Sequence, residues 1–243
     1  MEETAKFGLI GKNISYSFSK KYFEQKFSKL LLSNYSYEIF DINEIEDVQK
    51  IFETPYIKGL NVTIPYKEKI IPYLDELSHE AQKVGAVNTI LIKNGKKTGY
   101  NTDIFGFEKT LAIHRTQAHS AALILGRGGA AKAVSYVLDT LEIPHKTVAR
   151  DTDLNFDNLT EEMVRQHPLI IQCTPVGTFP NLNDCLNFPF AGVSREHLVI
   201  DLIYNPTYTQ FIKNAADRGA KTINGFYMLE QQAEKAWEIW KLA

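Results

Sequence analysis

The sequence predicts an α/β fold in two parts, a mixed sheet first and a parallel, doubly wound sheet second. Three observations predict it. Apolar runs of strand length alternate with stretches of helical periodicity along the chain. The pair Asn94-Gly95 lies between two strand-like runs and marks an antiparallel hairpin. Further on, a glycine-rich turn joins a strand to a helix and then to another strand, a βαβ unit that demands parallel pairing.

In chain order, "KFGLIG" (6–11) reads as a short strand, residues 19–32 carry helical periodicity, and "YSYEIFDI" (35–42) alternates as a second strand. "IKGLNVTIP" (57–65) is the next strand, closed by Pro65, which cannot donate to a ladder. "YKEKIIPYLDELSHEAQKVG" (66–85) reads as helical with a break near Pro72, which sets Lys67 on the first turn of that helix. "AVNTILIKNGKKTGYNTD" (86–103) is the hairpin, and "IFGFEKTLAIH" follows it. "SAALILGRGGAAKAVSYVLDTLEIPHKTVARD" (120–151) supplies strand, turn, helix and a second strand ending at Ala149-Arg150-Asp151. "PLIIQCT" (168–174) and "HLVIDLIY" (197–204) are two more strands, and "YMLEQQAEKAWEIWKLA" is a closing helix. The expected division is near residue 103, with a mixed-sheet domain over 1–102 and a Rossmann-like nucleotide-binding domain over 103–225.

Composition narrows the function classes. At 243 residues, 44% hydrophobic and 12% aromatic, the chain can bury real cores. A formal charge of -2 with no long basic block argues against nucleic acid or an anionic membrane as partner and favours a small-molecule ligand. No apolar run approaches the roughly 20 residues of a membrane span, and "MEETAKFGLIG" lacks the pattern of a secretory leader, so a cytoplasmic protein is expected. Cys173 and Cys185 show neither CxxC spacing nor nearby clustered histidines, so no metal site and no disulfide are expected.

The clearest motif is "LILGRGGAAKAV", a GxGxxA pattern that follows an apolar strand and opens a helix. Gly126 permits the tight turn, Gly128 lets a pyrophosphate approach the backbone, and small Ala131 allows close helix–strand packing. The βαβ unit ends where an adenosine ribose should lie, and an acidic residue there reads the 2′-hydroxyl of NAD whereas an arginine pairs with the 2′-phosphate of NADP. Arg150 and Asp151 offer both, which leaves the choice open. Along an extended chain successive residues project to opposite sides, so Arg150 is expected to face the ribose and Asp151 to turn away.

A hydride carrier on the second domain needs groups on the first that hold and polarise a carbonyl. Ser17 and Ser19 follow the first strand, with Ser19 also reading as a helix N-cap. Asn61, Thr63 and Lys67 come next, then Asn88, Asn101 and Asp103. Each alone is commoner as a turn or capping residue, but together they suit a polyhydroxylated carboxylic acid.

The ordered set "SYSFSK", "GLNVTIPYK", "GAVNT", "GYNTD", "GRGGAA", "CTPVGT", "DLIYNP" and "GFYMLEQQA" resembles the shikimate dehydrogenases over essentially the whole chain. The resemblance implies reduction of 3-dehydroshikimate to shikimate with NADPH, in a monomer or homodimer. It implies Lys67 and Asp103 as the catalytic pair, with Asp103 hydrogen-bonding Lys67 and the neighbouring hydroxyl. Ser17, Ser19, Asn61, Thr63, Asn88, Tyr204 and Gln232 match substrate-binding positions, and helix 226–243 is expected to pack back on the first domain, bringing Gln232 to the substrate. Gly126, Gly128, Gly129, Ala130 and Arg150 match the cofactor site, with Thr174, Gly225 and Met228 near the nicotinamide. The sequence departs from the family pattern at Tyr16, Lys20, Ile104 and Asp151. A quinate/shikimate dehydrogenase using NAD, or a non-catalytic binding protein on the same scaffold, are the alternatives.

Overall fold

The structure, a computed structural model, describes residues 4–14 and 17–243. It divides into two compact units, the first comprising residues up to Thr102 together with Ala233–Ala243, the second Asp103–Gln232.

In the first unit, β1 (Ala5–Gly11), α1 (Phe18–Lys29), β2 (Tyr35–Asp41), α2 (Val48–Phe52) and β3 (Ile57–Val62) are followed by β4 (Glu76–Leu77), α3 (His79–Val84), β5 (Thr89–Lys93) and β6 (Lys96–Tyr100). The sheet order is β2-β1-β3-β5-β6-β4. β1 runs parallel to β2 and β3, whereas β3–β5 and β5–β6 pair antiparallel, so the sheet is mixed as the sequence predicts. Asn94 and Gly95 both adopt positive φ, 53° and 77°, which the tight β5–β6 turn requires. Alternation along β1 and β3 sorts two cores. Phe7 and Leu9 join Phe23, Phe27, Trp237 and Trp240 on one face, and Ile10, Leu60 and Val62 join Tyr66 and Ile70 on the other. Gly59 faces the first cluster, and a β-carbon there would fall 2.3 Å from the Trp240 indole, so only glycine lets that ring lie on the sheet.

The second unit begins with α4 (Asp103–His114) and continues through β7 (Ala122–Leu125), α5 (Gly129–Thr140), β8 (His145–Val148), α6 (Glu161–Arg165), β9 (Leu169–Gln172), β10 (Leu198–Asp201), α7 (Gln210–Ala216), β11 (Lys221–Ile223) and α8 (Phe226–Trp240), whose last residues belong to the first unit. Its five strands are all parallel, in the order β11-β10-β9-β7-β8. β7 and β9 are buried at every position, as strands covered on both faces must be. The chain leaves β7 for β8 on one side while β9 lies on the other. This is the topological switch point, outside whose carboxyl ends ligands bind in such sheets.

Several expectations need correction. Residues 66–85 are not one helix but a turn, a 3-10 segment at Ile71–Tyr73, β4 and the short α3. The Lys67 carbonyl accepts from Val87 N–H at 2.7 Å, which takes it out of any helical ladder, and Ser78 caps a fresh start by accepting from Ala81 N–H at 3.2 Å. Lys67 therefore sits in a turn. β8 stops at Val148, short of Arg150, because the Thr152 hydroxyl accepts from Ala149 N–H at 3.0 Å and bends the chain. The helix cap is Ser17, whose Oγ accepts from Ser19 N–H at 3.3 Å, while Ser19 lies within the first turn. The short elements α2, β4, α6, α7 and β11 add to those read from the sequence.

Candidate active site

Each unit gathers its own share of the residues singled out above. In the first, the chain after β1 is held by Asp41, whose carboxylate accepts from the backbone N–H of Asn13 at 2.8 Å and of Ile14 at 3.1 Å. This pins residues 13 and 14 after β1, and Ser17 caps the N-terminus of α1, where the helix dipole favours an anion. Lys20 lies exposed further along α1, 3.8 Å from Glu24, and Tyr16 lies outside the described residues. Thr63 follows β3, donates its N–H to Ile10 O at 2.9 Å and packs on Gly11, where a β-carbon would meet its methyl at 2.6 Å.

Behind these groups runs a buried polar network. Tyr37 O–H donates to Asn61 Oδ1 at 2.8 Å, and Asn61 Nδ2 donates to Thr89 Oγ1 at 3.2 Å and Asn88 O at 3.3 Å. Asn88 Oδ1 in turn accepts from Thr89 Oγ1 at 3.2 Å and from Thr102 N–H at 2.7 Å. Burial pushes the Tyr37 phenol well above its ordinary pKa, opposed by a hydrogen bond from Ser19, so Tyr37 stays a donor and links Ser19 to Asn61. Asn61 and Asn88 are 5% and 3% exposed, so this network orders both side chains together. Asn101 Nδ2 donates to Ala86 O at 2.9 Å, while its buried Oδ1 has no protein partner among the described residues, leaving an acceptor for a water or a bound hydroxyl. Tyr37, Thr89 and Thr102 carry no signal in sequence, because their role comes from partners distant along the chain. Lys67 is half-buried, and its carbonyl bond to Val87 sets it beside the residue preceding Asn88.

The second unit brings the glycine motif to the switch point. Gly126 has φ +111°, and a β-carbon there would meet the Thr174 methyl at 3.0 Å, so the turns after β7 and β9 touch. Gly128 is the N-cap of α5 and has no capping side chain; a β-carbon on it would meet nothing within 4 Å. The amides of Gly129 and Ala130 thus open α5 toward free space, a cradle that fits a pyrophosphate. Arg150 is exposed in the turn after β8. In that turn strand alternation no longer orients the side chains, and Asp151 is found ion-paired with Arg127 of the glycine loop.

The residues expected near a nicotinamide lie after β10 and on α8. Gly225 donates its N–H to Ile203 O at 2.9 Å and lies so close to Leu202 that no side chain fits. Met228 and Gln232 pack over Gly106 of α4, where a β-carbon would come within 2.6 Å of Met228 O and 3.3 Å of Gln232 Cβ. Gln232 Nε2 donates to Leu229 O at 2.9 Å, and Tyr204 lies half-buried beyond β10. Asp103 is buried as the first residue of α4, and Ile104, also buried, continues that helix. Burial raises the Cys173 thiol pKa, and the nearby carboxylates of Asp201 and Asp103 push it further, so Cys173 is an inert thiol that also places Asp103 near the end of β9.

Asp201 closes β10, accepting from the Thr209 hydroxyl at 2.6 Å and from Ile203 N–H at 3.0 Å. Burial nevertheless raises its pKa from 3.8 to about 6. The folded state holds this proton more tightly than the unfolded chain, so stability is fullest below the unfolded pKa and is lost as pH rises through about 6. The expected cost of charging Asp201 is roughly 3 kcal/mol. Urea unfolding across that range should show wild-type stability falling more steeply with pH than that of Asp201→Asn; parallel profiles would remove Asp201 as the cause.

No helix among the described residues is long and apolar enough to cross a membrane, and no cluster among them could hold a metal ion. The family profile described as "Shikimate dehydrogenase substrate binding domain" matches residues 9–90. Among curated proteins, "Shikimate dehydrogenase (NADP(+))" of Clostridium perfringens is 36% identical over 96% of this chain and 91% of its own length. A crystal structure of shikimate dehydrogenase in complex with NADP+ superposes with a TM-score of 0.86 at 32% identity, covering 99% of this chain and 91% of the other. The enzyme from Thermus thermophilus in complex with NADP(H) and shikimate does so at 0.87 and 28% identity, covering 99% and 94%.

Proposed function

The chain belongs to the shikimate dehydrogenase family, and from that membership we propose that it catalyses the reversible, NADPH-dependent reduction of 3-dehydroshikimate to shikimate. The observation that carries this reading is the buried network from Ser19 through Tyr37, Asn61 and Thr89 to Asn88 and Thr102. These buried amides and hydroxyls satisfy one another and so form an ordered polar floor on which a polyhydroxylated ligand can be held.

The N-terminus of α1, with Ser17 and Ser19, takes the substrate carboxylate. Asn61, Thr63, Asn88, Tyr204 and Gln232 meet the hydroxyls, with Asn61 also bonded to the Asn88 backbone. Gly126, Gly128, Gly129 and Ala130 receive the pyrophosphate, Arg150 the 2′-phosphate, and Thr174, Gly225 and Met228 the nicotinamide end. When bound, NADP(H) supplies or accepts the hydride. As the ketone oxygen at C3 gains negative charge, the Lys67 ammonium stabilises it and offers a proton, and the Asp103 carboxylate accepts from the adjacent hydroxyl. The activity is assigned to the cytoplasm, consistent with Cys173 and Cys185 being free.

Gln232→Ala is expected to raise KM for shikimate by about tenfold with kcat little changed, because the hydroxyl it meets is present in ground and transition states alike. A fall in kcat at constant KM would contradict that role. The proposal as a whole is tested by a substrate panel with purified protein and NADP+. Shikimate should be oxidised with a kcat/KM well above that of quinate, and a preference for quinate, or no turnover of either, would refute it.

A further inference from the structure

We propose that Arg127 is a second specificity-determining arginine for the cofactor's 2′-phosphate, presented to it by Asp151. The inference rests on NADP(H) being the cofactor. Arg127 stands between Gly126 and Gly128 in the glycine loop, where only the backbone is needed for pyrophosphate, and its side chain is 60% exposed. It does not point into solvent alone. Its Nη2 is ion-paired with Asp151 Oδ2, which joins the loop after β7 to the turn after β8. These two strands are neighbours with Leu125 opposite Val148, and Gly126 N–H donates to Val148 O at 2.8 Å, so the two turns leave the sheet side by side. The end of β8 is where the adenosine ribose of a bound dinucleotide lies. The pair therefore holds the Arg127 guanidinium against the turn that carries Arg150.

This arrangement changes how Asp151 acts. An unpaired carboxylate at the ribose end hydrogen-bonds a 2′-hydroxyl and repels a 2′-phosphate. Paired with Arg127, it is neutralised, and two arginines with one carboxylate leave a net positive charge for the phosphate dianion. The pair uses Nη2, and a guanidinium carries five donors in a planar fork, so one face can hold Asp151 while another meets phosphate oxygens. An exposed ion pair contributes little by itself, so the phosphate recruits Arg127 with little opposition.

The test is calorimetric and independent of turnover. Binding of NADP+, NAD+ and adenosine 2′,5′-bisphosphate is measured for the wild type, Arg127→Ala, Arg127→Lys and Asp151→Asn. Arg127→Ala should weaken NADP+ and the bisphosphate by about tenfold or more and NAD+ by less than about twofold, since one charge-assisted contact is lost. Arg127→Lys should recover part of the loss, and Asp151→Asn, which no longer presents Arg127, should weaken NADP+ severalfold while leaving NAD+ alone. If Arg127→Ala weakens NAD+ and NADP+ alike, or leaves NADP+ unchanged, or if Asp151→Asn weakens NAD+, the assignment of Arg127 is overturned. A wild type that binds NAD+ as tightly as NADP+ would instead overturn the cofactor reading beneath it.

Discussion

Lys67→Ala is expected to lower kcat for shikimate oxidation by about a hundredfold or more while KM for shikimate changes little. Electrostatic stabilisation of a developing oxyanion and general acid–base transfer are each worth about a hundredfold or more, and Lys67 is positioned for both. Its side chain is half-buried, and its backbone is pinned by the 2.7 Å bond from Val87 N–H to its carbonyl. A charge held in this way, rather than on a freely moving surface chain, favours the transition state over the ground state. Steady-state kinetics with saturating NADP+ separate the two parameters. Wild-type kcat with a raised KM would make Lys67 a binding residue only.

Arg150→Ala carries the second large effect. A charge-assisted hydrogen bond from a guanidinium to a phosphate contributes about 1.5–3 kcal/mol, so KM for NADP+ should rise by about tenfold to a hundredfold. NAD+ has no 2′-phosphate, and its KM should barely move. Arg150 is exposed in a turn pinned by Thr152 Oγ, which donates to Leu154 O at 2.6 Å, so the substitution leaves the turn intact. Equal losses for both cofactors would remove Arg150 from the 2′-phosphate and make Asp151 the reader of the ribose.

Much of the fold was legible because its signals are local. The Asn94-Gly95 turn, the apolar strand before Gly126 and the small residues that open α5 each state their structure within a few positions. The misread segment after Pro65 shows what local reasoning omits. Its charged and apolar residues suit a helix, yet a distant N–H at Val87 takes the Lys67 carbonyl, and Glu76–Leu77 pairs with β6 across a long separation in sequence. Tertiary hydrogen bonds overrode propensity there. The site divides in the same way. Serines, lysine and glycines at characteristic spacings could be named from sequence, but Tyr37 and Arg127 acquire meaning only from Asn61 and Asp151, their partners in space. The strand-alternation argument for Arg150 and Asp151 failed because the strand ends at Val148.

The central claim is that this chain moves a hydride between C3 of shikimate and the nicotinamide of NADP+, and isotope transfer tests it most directly. Wild-type protein is mixed with NADP+ and shikimate carrying deuterium at C3, and the cofactor is recovered for mass spectrometry and proton NMR. The account predicts reduced NADP bearing one deuterium at C4 of the nicotinamide ring, formed in step with 3-dehydroshikimate. Absence of reduced cofactor, or reduced cofactor without deuterium, would contradict it.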